Sequence, residues 1–446
     1  MFASKPRREW IEKCYRHWTP SAAKLYRVAN TGIERDASDC QVTDHRGRSF
    51  IDCACSYGIF LVGHANPRVR HASLHQVQDL ACIPGGLPSQ ASVELSRRLR
   101  ERVPGRWGEV RYTMTGAEAI EQVLSYVLRR QAPRQRIVVM QHGYHGKTLA
   151  TMNILGQQHG RNEHGLNRDV IDFIPYGDMA ALDRAITDQT AAVFVEPILG
   201  GAYLRVPPKG YVRRIRERCD ATGAIMVADE IQTAFGRCGK WFAVEYDDVV
   251  PDIMVLSKGL TGGYAAIAAV LYASHFDQGE RAHIRPGTSR NGGQPFACAT
   301  ALAALDALVE DDLIERSAPA AERLGKGLQR LAASYPEIIE DAPAIGLMTG
   351  IRLRGAVFEA LISTELMRRG VHAGHSMDER AVRPVLRFYP PLTITLAQVD
   401  QVLQALAEAL AVVSRLPRWK QRLLRPVIGN LYKLPFALLP KGAADD

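Results

Sequence analysis

No run in the sequence approaches the roughly 20 consecutive apolar residues that a bilayer-spanning helix needs. The opening residues, Met-Phe-Ala-Ser-Lys-Pro-Arg-Arg-Glu-Trp, lack the apolar core of a signal peptide. A cytoplasmic protein is the expectation. The eight cysteines, Cys14, Cys40, Cys53, Cys55, Cys82, Cys219, Cys238 and Cys298, form neither a CxxC pair nor a Cys/His grouping at zinc-site spacing. This argues against a metal site and a disulfide framework, and favours free thiols in a reducing compartment. No internal repeat is present. The net charge of +9 would admit an anionic partner, but the body of the chain lacks a basic stripe interleaved with aromatics. Solvated arginines are therefore expected rather than nucleic-acid binding.

What is present is a chain of 446 residues with 46% hydrophobic and 23% charged residues, enough for one large and one smaller domain. Val42-Thr-Asp-His-Arg-Gly-Arg-Ser-Phe-Ile-Asp52 reads as two short strands around a polar, glycine-containing turn. Further on, short apolar runs alternate with amphipathic stretches such as Tyr211 to Ala221. The runs are Arg136 to Met140, Ala191 to Val195, Ala224 to Ala228 and Ile253 to Leu256. Brevity, β-branching and flanking Gly, Pro or Asp predict strands buried on both faces of a largely parallel sheet, an α/β layout. Residues 311 to 414 return to longer amphipathic helices, ending in one over Leu396 to Val413.

Ligands of such sheets sit beyond the carboxyl ends of the strands. The residues there are Glu196, Asp229-Glu230 and Ser257-Lys258. A charge closing a buried run must be paired, functional or turned to solvent. Alone, Asp229 or Lys258 could simply face water. Together they suit one cofactor, pyridoxal 5'-phosphate: a lysine amine forms its Schiff base, and a carboxylate keeps its pyridine nitrogen protonated. Thr113-Met-Thr-Gly-Ala-Glu-Ala-Ile opens a helix to about Arg130, whose free N–H groups and positive dipole end would face a phosphate. Gln141-His-Gly-Tyr-His-Gly-Lys-Thr superficially resembles a nucleotide-binding P-loop, but Gln141 stands where that motif needs glycine. Tyr144 at this strand end is a candidate to stack on a flat ring, with a purely structural tyrosine as the rival.

At these residues the sequence strongly resembles the class III, or ω-type, pyridoxal-phosphate aminotransferases, especially putrescine- and ornithine-type members, over roughly residues 25 to 412. The matching blocks are Glu196-Pro-Ile-Leu-Gly, Pro207-Pro-Lys-Gly-Tyr211, Asp229-Glu-Ile-Gln-Thr-Ala-Phe-Gly-Arg237, Gly239-Lys-Trp-Phe, Pro251-Asp-Ile and Leu256-Ser-Lys-Gly-Leu-Thr-Gly-Gly263. The resemblance implies the fold type I architecture. Residues 1–70 would be the N-terminal part of the small domain, 71–315 the large cofactor-binding domain, 316–414 the C-terminal small domain and 415–446 an extension.

It further implies that Lys258 holds the cofactor and shuttles the proton, Asp229 pairs with the ring nitrogen and Gln232 bonds the ring hydroxyl. Ile231 would lie beneath the ring and Tyr144 above it. Thr115, Gly116 and Ala117 would form the phosphate turn, with His145 and Glu196 close by. Gly292-Gly-Gln-Pro-Phe-Ala resembles the segment following a threonine that crosses a dimer interface to the partner's phosphate, so a homodimer is expected. Arg290 stands at that position, after Thr288 and Ser289, and Arg290 or a shifted Thr288 would make the contact. Ala117 also departs from the family's usual Ser or Thr.

Val385-Leu-Arg-Phe-Tyr-Pro-Pro-Leu-Thr resembles the segment whose arginine, here Arg387, binds a substrate carboxylate. Ornithine-type members cover that arginine with a glutamate, but this chain has Gly201 there. The expectation is that Arg387 stays open to carboxylates, or that a bulky substrate uses the space with Tyr203 in its wall. The reaction would be ping-pong between an amine or amino-acid donor and an aldehyde or keto acceptor. A mutase or epimerase, a decarboxylating enzyme and an idle binding protein are the alternatives. Residues 415–446 mix Arg and Lys with Trp, Leu and Phe, as a membrane-surface segment or a dock for an acidic partner such as an acyl carrier protein would. Its four prolines equally fit a tail wrapped on its own dimer.

Overall fold

Apolar runs with no polar face have one stable position, inside a sheet covered on both sides. In the computed structural model, which describes residues 7–20, 23–24, 34–83, 87–156, 169–201, 203–376 and 383–417 with single positions 419, 426 and 435, they take that position. Nearly all of the basic, apolar extension therefore lies outside the described residues. Strands are numbered in chain order. β1 (Glu34–Ser38), β2 (Gln41–Asp44) and β3 (Ser49–Cys53) come first, with the expected turn between β2 and β3. β4 (Trp107–Thr113), β5 (Arg136–Met140), β6 (Ile171–Ile174), β7 (Thr190–Val195), β8 (Ile225–Asp229), β9 (Ile253–Leu256) and β10 (Ala268–Ala273) make the large sheet. β11 (Ile339–Asp341), β12 (Ala344–Ile345), β13 (Met348–Leu353), β14 (Val371–Ala373) and β15 (Val385–Phe388) follow.

The seven-stranded sheet has the order β4-β10-β9-β8-β7-β5-β6. β9, β8, β7, β5 and β6 are mutually parallel, and β10 runs against both of its neighbours. With β10 the single reversed strand, the carboxyl ends of β4, β5, β7, β8 and β9 share one edge. That edge gathers Thr113, Met140, Val195, Asp229 and Leu256, and the loops after them hold every strand-end residue singled out from the sequence. β7, β8 and β9 are buried along their whole length.

Two smaller sheets flank this edge. β14 joins β3 in parallel, so one sheet combines strands from both ends of the chain. The other pairs β13 with β11, β12 and β15. Tyr389 N–H donates to Cys53 O at 2.7 Å, and Gly374 bridges Arg387, stitching the two sheets together beside the large one. The helix Leu396–Ser414 is long and apolar enough to cross a membrane by composition. Here one face packs against the helix Leu313–Ser334, while Asp400 pairs with Arg323 at 2.8 Å and Glu408 with Arg369 at 3.1 Å. All eight cysteines are free thiols, and only Cys82 is exposed.

Candidate active site

Lys258 follows β9 directly and opens a short turn of 3-10 helix, Lys258–Thr261. Its φ of +46° is a left-handed conformation that L side chains rarely adopt. Surrounding contacts hold it. Ser257 Oγ donates to Ile267 O at 2.9 Å, and Gly259 lies so close to Leu61 that a Cβ would come within 2.8 Å of Leu61 Cδ2. Among the described residues the Lys258 amine has no ion pair or hydrogen bond. Burial lowers its pKa to about 8, Glu196 and Asp229 opposing the shift and Arg387 and Arg237 reinforcing it. A lysine partly neutral near pH 7 is a competent nucleophile and proton carrier.

Asp229 ends β8 and is buried. Its Oδ1 accepts from Ile231 N at 3.1 Å and its Oδ2 meets His145 Nδ1 at 2.7 Å. Burial opposes charge on His145, but the bond to Asp229 and the charges of Asp229 and Glu196 outweigh it and raise its pKa. An imidazole so held keeps the Asp229 carboxyl group oriented. Glu196, after β7, accepts from Tyr144 N at 2.8 Å and Gly200 N at 3.0 Å. Its own pKa is raised by burial, with His145 opposing and Asp229 adding. Glu196 therefore ties the Tyr144 loop to the Gly200 turn. The Tyr144 ring is about one-third exposed.

Thr115, in extended conformation, caps the helix Gly116–Gln131 by accepting from Glu118 N at 3.1 Å. The N–H groups of the first turn have no intrahelical acceptor, and the dipole adds positive potential there. Glycine is required by packing at this point: a Cβ on Gly116 would lie 2.6 Å from Ile231 Cδ1, and one on Gly146 would lie 2.7 Å from Ala117 Cβ. Ile231 and the Tyr144–Gly146 loop are thereby brought against the helix start.

On the substrate side the structure corrects one expectation. Arg387 on β15 is buried but not open, because its Nη1 donates to Gly201 O and its Nη2 to His375 O. Its guanidinium carbon lies 4.5 Å from the Tyr57 ring centroid, and its Nε has no partner among the described residues. Gly201 has no side chain to cover the arginine, so its carbonyl does so. Gln232 accepts from Gly201 N at 3.2 Å and donates to Tyr57 O at 3.0 Å. Tyr203 stacks on His142, with ring centroids 4.0 Å apart. Thr288 and Arg290 are exposed, Ser289 is half-buried, and none makes a side-chain hydrogen bond or ion pair among the described residues.

Two residues were not visible in the sequence. Tyr57 belongs to a run of left-handed residues, Cys55 to Tyr57, with only Gly58 to signal a turn. Arg352 lies on β13, far along the chain from the loop it binds, at Tyr203 O and Leu204 O.

An unpaired lysine, a buried carboxylate fixed by an imidazole, a helix start and closely packed glycines at one edge of the sheet fit a planar pyridine bearing an aldehyde and a phosphate. The fold and site are those of a fold type I pyridoxal-phosphate enzyme. Residues 26–410 match the class-III aminotransferase family, and the chain belongs to it. The acetylornithine aminotransferase of Methanopyrus kandleri is 32% identical over 377 residues, covering 83% of this chain and 92% of that protein. An amine transaminase from an uncultivated Pseudomonas species, solved with the cofactor bound, aligns with a TM-score of 0.78 at 25% identity, over 86% of this chain and 95% of that one. Ornithine aminotransferase of Toxoplasma gondii shares the fold, with a TM-score of 0.79 at 24% identity over 92% of this chain and 99% of that one. The protein is a pyridoxal-phosphate-dependent transaminase that moves amino groups between amine or amino-acid donors and keto or aldehyde acceptors.

Proposed function

We propose that the transaminase works as a cytoplasmic homodimer on ornithine- or putrescine-type donors, with Lys258 as cofactor-holding base and Arg387 as the carboxylate site. One observation supports this most directly: Lys258, without a hydrogen bond among the described residues, follows β9 at the same sheet edge where Asp229 ends β8 and meets His145 Nδ1 at 2.7 Å. Bound there, pyridoxal 5'-phosphate supplies an aldehyde carbon that takes the amino nitrogen and a protonated ring that accepts the electron pair left by C–H cleavage. Asp229, oriented by His145, would present its carboxyl group to the ring nitrogen. Ile231 and Tyr144 would bound the ring's two faces, and the N–H groups at Gly116 and Ala117 would receive the phosphate. Lys258 Nζ takes the proton from the amine-bearing carbon and returns it on the other side of the reaction. Arg387 aligns a substrate carboxylate through its planar, forked guanidinium.

The reading is tested by the visible absorption of purified protein before and after adding putrescine, ornithine, 4-aminobutyrate, glutamate or alanine, with Lys258→Ala as control. The expected result is a cofactor band in wild type that a donor converts to the amine form and that only an added keto or aldehyde acceptor restores. No such band in wild type, or the same band in Lys258→Ala, would refute the assignment of Lys258. Restoration without any acceptor would make the enzyme a mutase.

A further inference from the structure

A buried guanidinium whose charge meets no carboxylate is costly unless dipoles satisfy it. Among the described residues Arg387 has no ion pair, and its two terminal nitrogens rest on backbone carbonyls of Gly201 and His375. Gly201 lies in a hairpin closed by reciprocal bonds between Leu199 and Arg205 at 2.9 and 3.0 Å. Its base is held tightly. Arg352, itself buried on β13, donates from Nη1 to Tyr203 O at 2.9 Å and from Nη2 to Leu204 O at 3.0 Å, while its Nε faces Asp341 Oδ1 at 3.0 Å. The same strand pairs Gly350 with Arg387, and a Cβ on Gly350 would sit 3.3 Å from Leu204 Cδ2. Leu204 is kept at a φ of +28°, outside the usual L-residue regions. A non-glycine residue stays there only where its surroundings impose it.

From this geometry we infer that the hairpin Leu199–Arg205 is a backbone-carbonyl latch on Arg387, that a substrate carboxylate must displace it, and that Arg352 sets how firmly it is shut. The inference rests on Arg387 being the carboxylate site. An amine without a carboxylate leaves the latch closed, so the two terminal nitrogens of Arg387 keep their carbonyl acceptors. A carboxylate replaces the Gly201 carbonyl with a charge-assisted, forked pair. One pocket thereby accepts both donor classes without an acidic side chain to swing across. Arg352 touches neither substrate nor cofactor and is a positioning residue.

The test uses holoenzyme and glutarate, a dicarboxylate with no amine to transfer. Glutarate binding is read from the visible spectrum, and opening from amide hydrogen exchange over residues 199–205. In wild type, glutarate is expected to speed exchange in that segment. Arg352→Gln should speed it without glutarate and tighten glutarate binding roughly five- to tenfold, since a latch already loosened no longer taxes the competent state. Asp341→Asn, at an exposed position, loosens the same clamp more gently and should move both readouts in the same direction. Exchange unchanged by glutarate, or glutarate weakened or unaffected in both variants, would overturn the latch. Arg387→Ala separates the two ideas: unchanged glutarate affinity there refutes the carboxylate site itself, whereas lost affinity there with inert Arg352 and Asp341 variants refutes only the latch.

Discussion

Gly116 shows how one absent side chain shapes the site. Any Cβ there would press on Ile231 Cδ1, and Ile231 is the residue expected to lie beneath the cofactor ring. Gly116→Ala is therefore expected to weaken cofactor affinity about tenfold, an overpacking cost of ordinary size. Ile231→Val removes the offending Cδ1, so the double variant should recover most of the loss in a fluorescence titration of the apoprotein. No recovery would place the defect elsewhere in the turn. Lys258 makes the complementary point. Its lowered pKa arises because desolvation exceeds the attraction of two nearby carboxylates, an outcome that depends on distances no linear motif specifies.

At the scale of the element, β8 ends in two acids with opposite duties. Asp229 turns into the pocket, while Glu230 is buried elsewhere, accepting from Thr233 Oγ1 and, at 2.8 Å, from Val244 N. Burial raises the Glu230 carboxyl from 4.5 to about 7 against those bonds. A raised folded-state pKa means stability that is complete below the unfolded value and lost as pH climbs through the folded one. Thermal stability of the wild type should thus fall between about pH 5 and about pH 8 through this group. Glu230→Gln, which can still accept from Val244 and donate to Thr233, should melt higher than wild type at the upper pH and nearly equal it at the lower. An unchanged pH profile in the variant would show that Glu230 does not titrate in this window.

At the scale of the whole molecule, the proposed homodimer needs an apolar face to bury, and exposed apolar side chains on one helix are a candidate for it. Leu74, Val77 and Leu80 recur every three residues on the helix Pro67–Leu80 and are at least half exposed, and Leu87 and Val93 add to them. A row of three exposed apolar side chains on one helix is more than scattered exposure accounts for. Leu74→Asp with Val77→Asp is expected to halve the mass seen by sedimentation and to weaken cofactor binding with it. Thr288→Ala combined with Arg290→Ala should instead keep the mass and lower cofactor affinity about tenfold, the loss of a charge-assisted contact. Unchanged affinity in that second variant would remove both residues from the partner's site.

By itself the sequence determined the sheet, because runs such as Ile253 to Leu256 and Arg136 to Met140 have no polar face to expose, and their bounds match β9 and β5. It also marked Asp229 and Lys258, since a charge closing a buried run needs a reason. It did not mark β10, whose alanine-rich stretch lacks β-branched density, nor Tyr57, whose left-handed backbone has no local signature beyond Gly58. Only the tertiary structure decided the state of Arg387. Residues 201, 352, 375 and 387 come together through strand pairing and loop packing across the chain, and whether a guanidinium is open or capped depends on where backbone carbonyls lie. Every residue has such a carbonyl, so its placement leaves no trace in the choice of side chain.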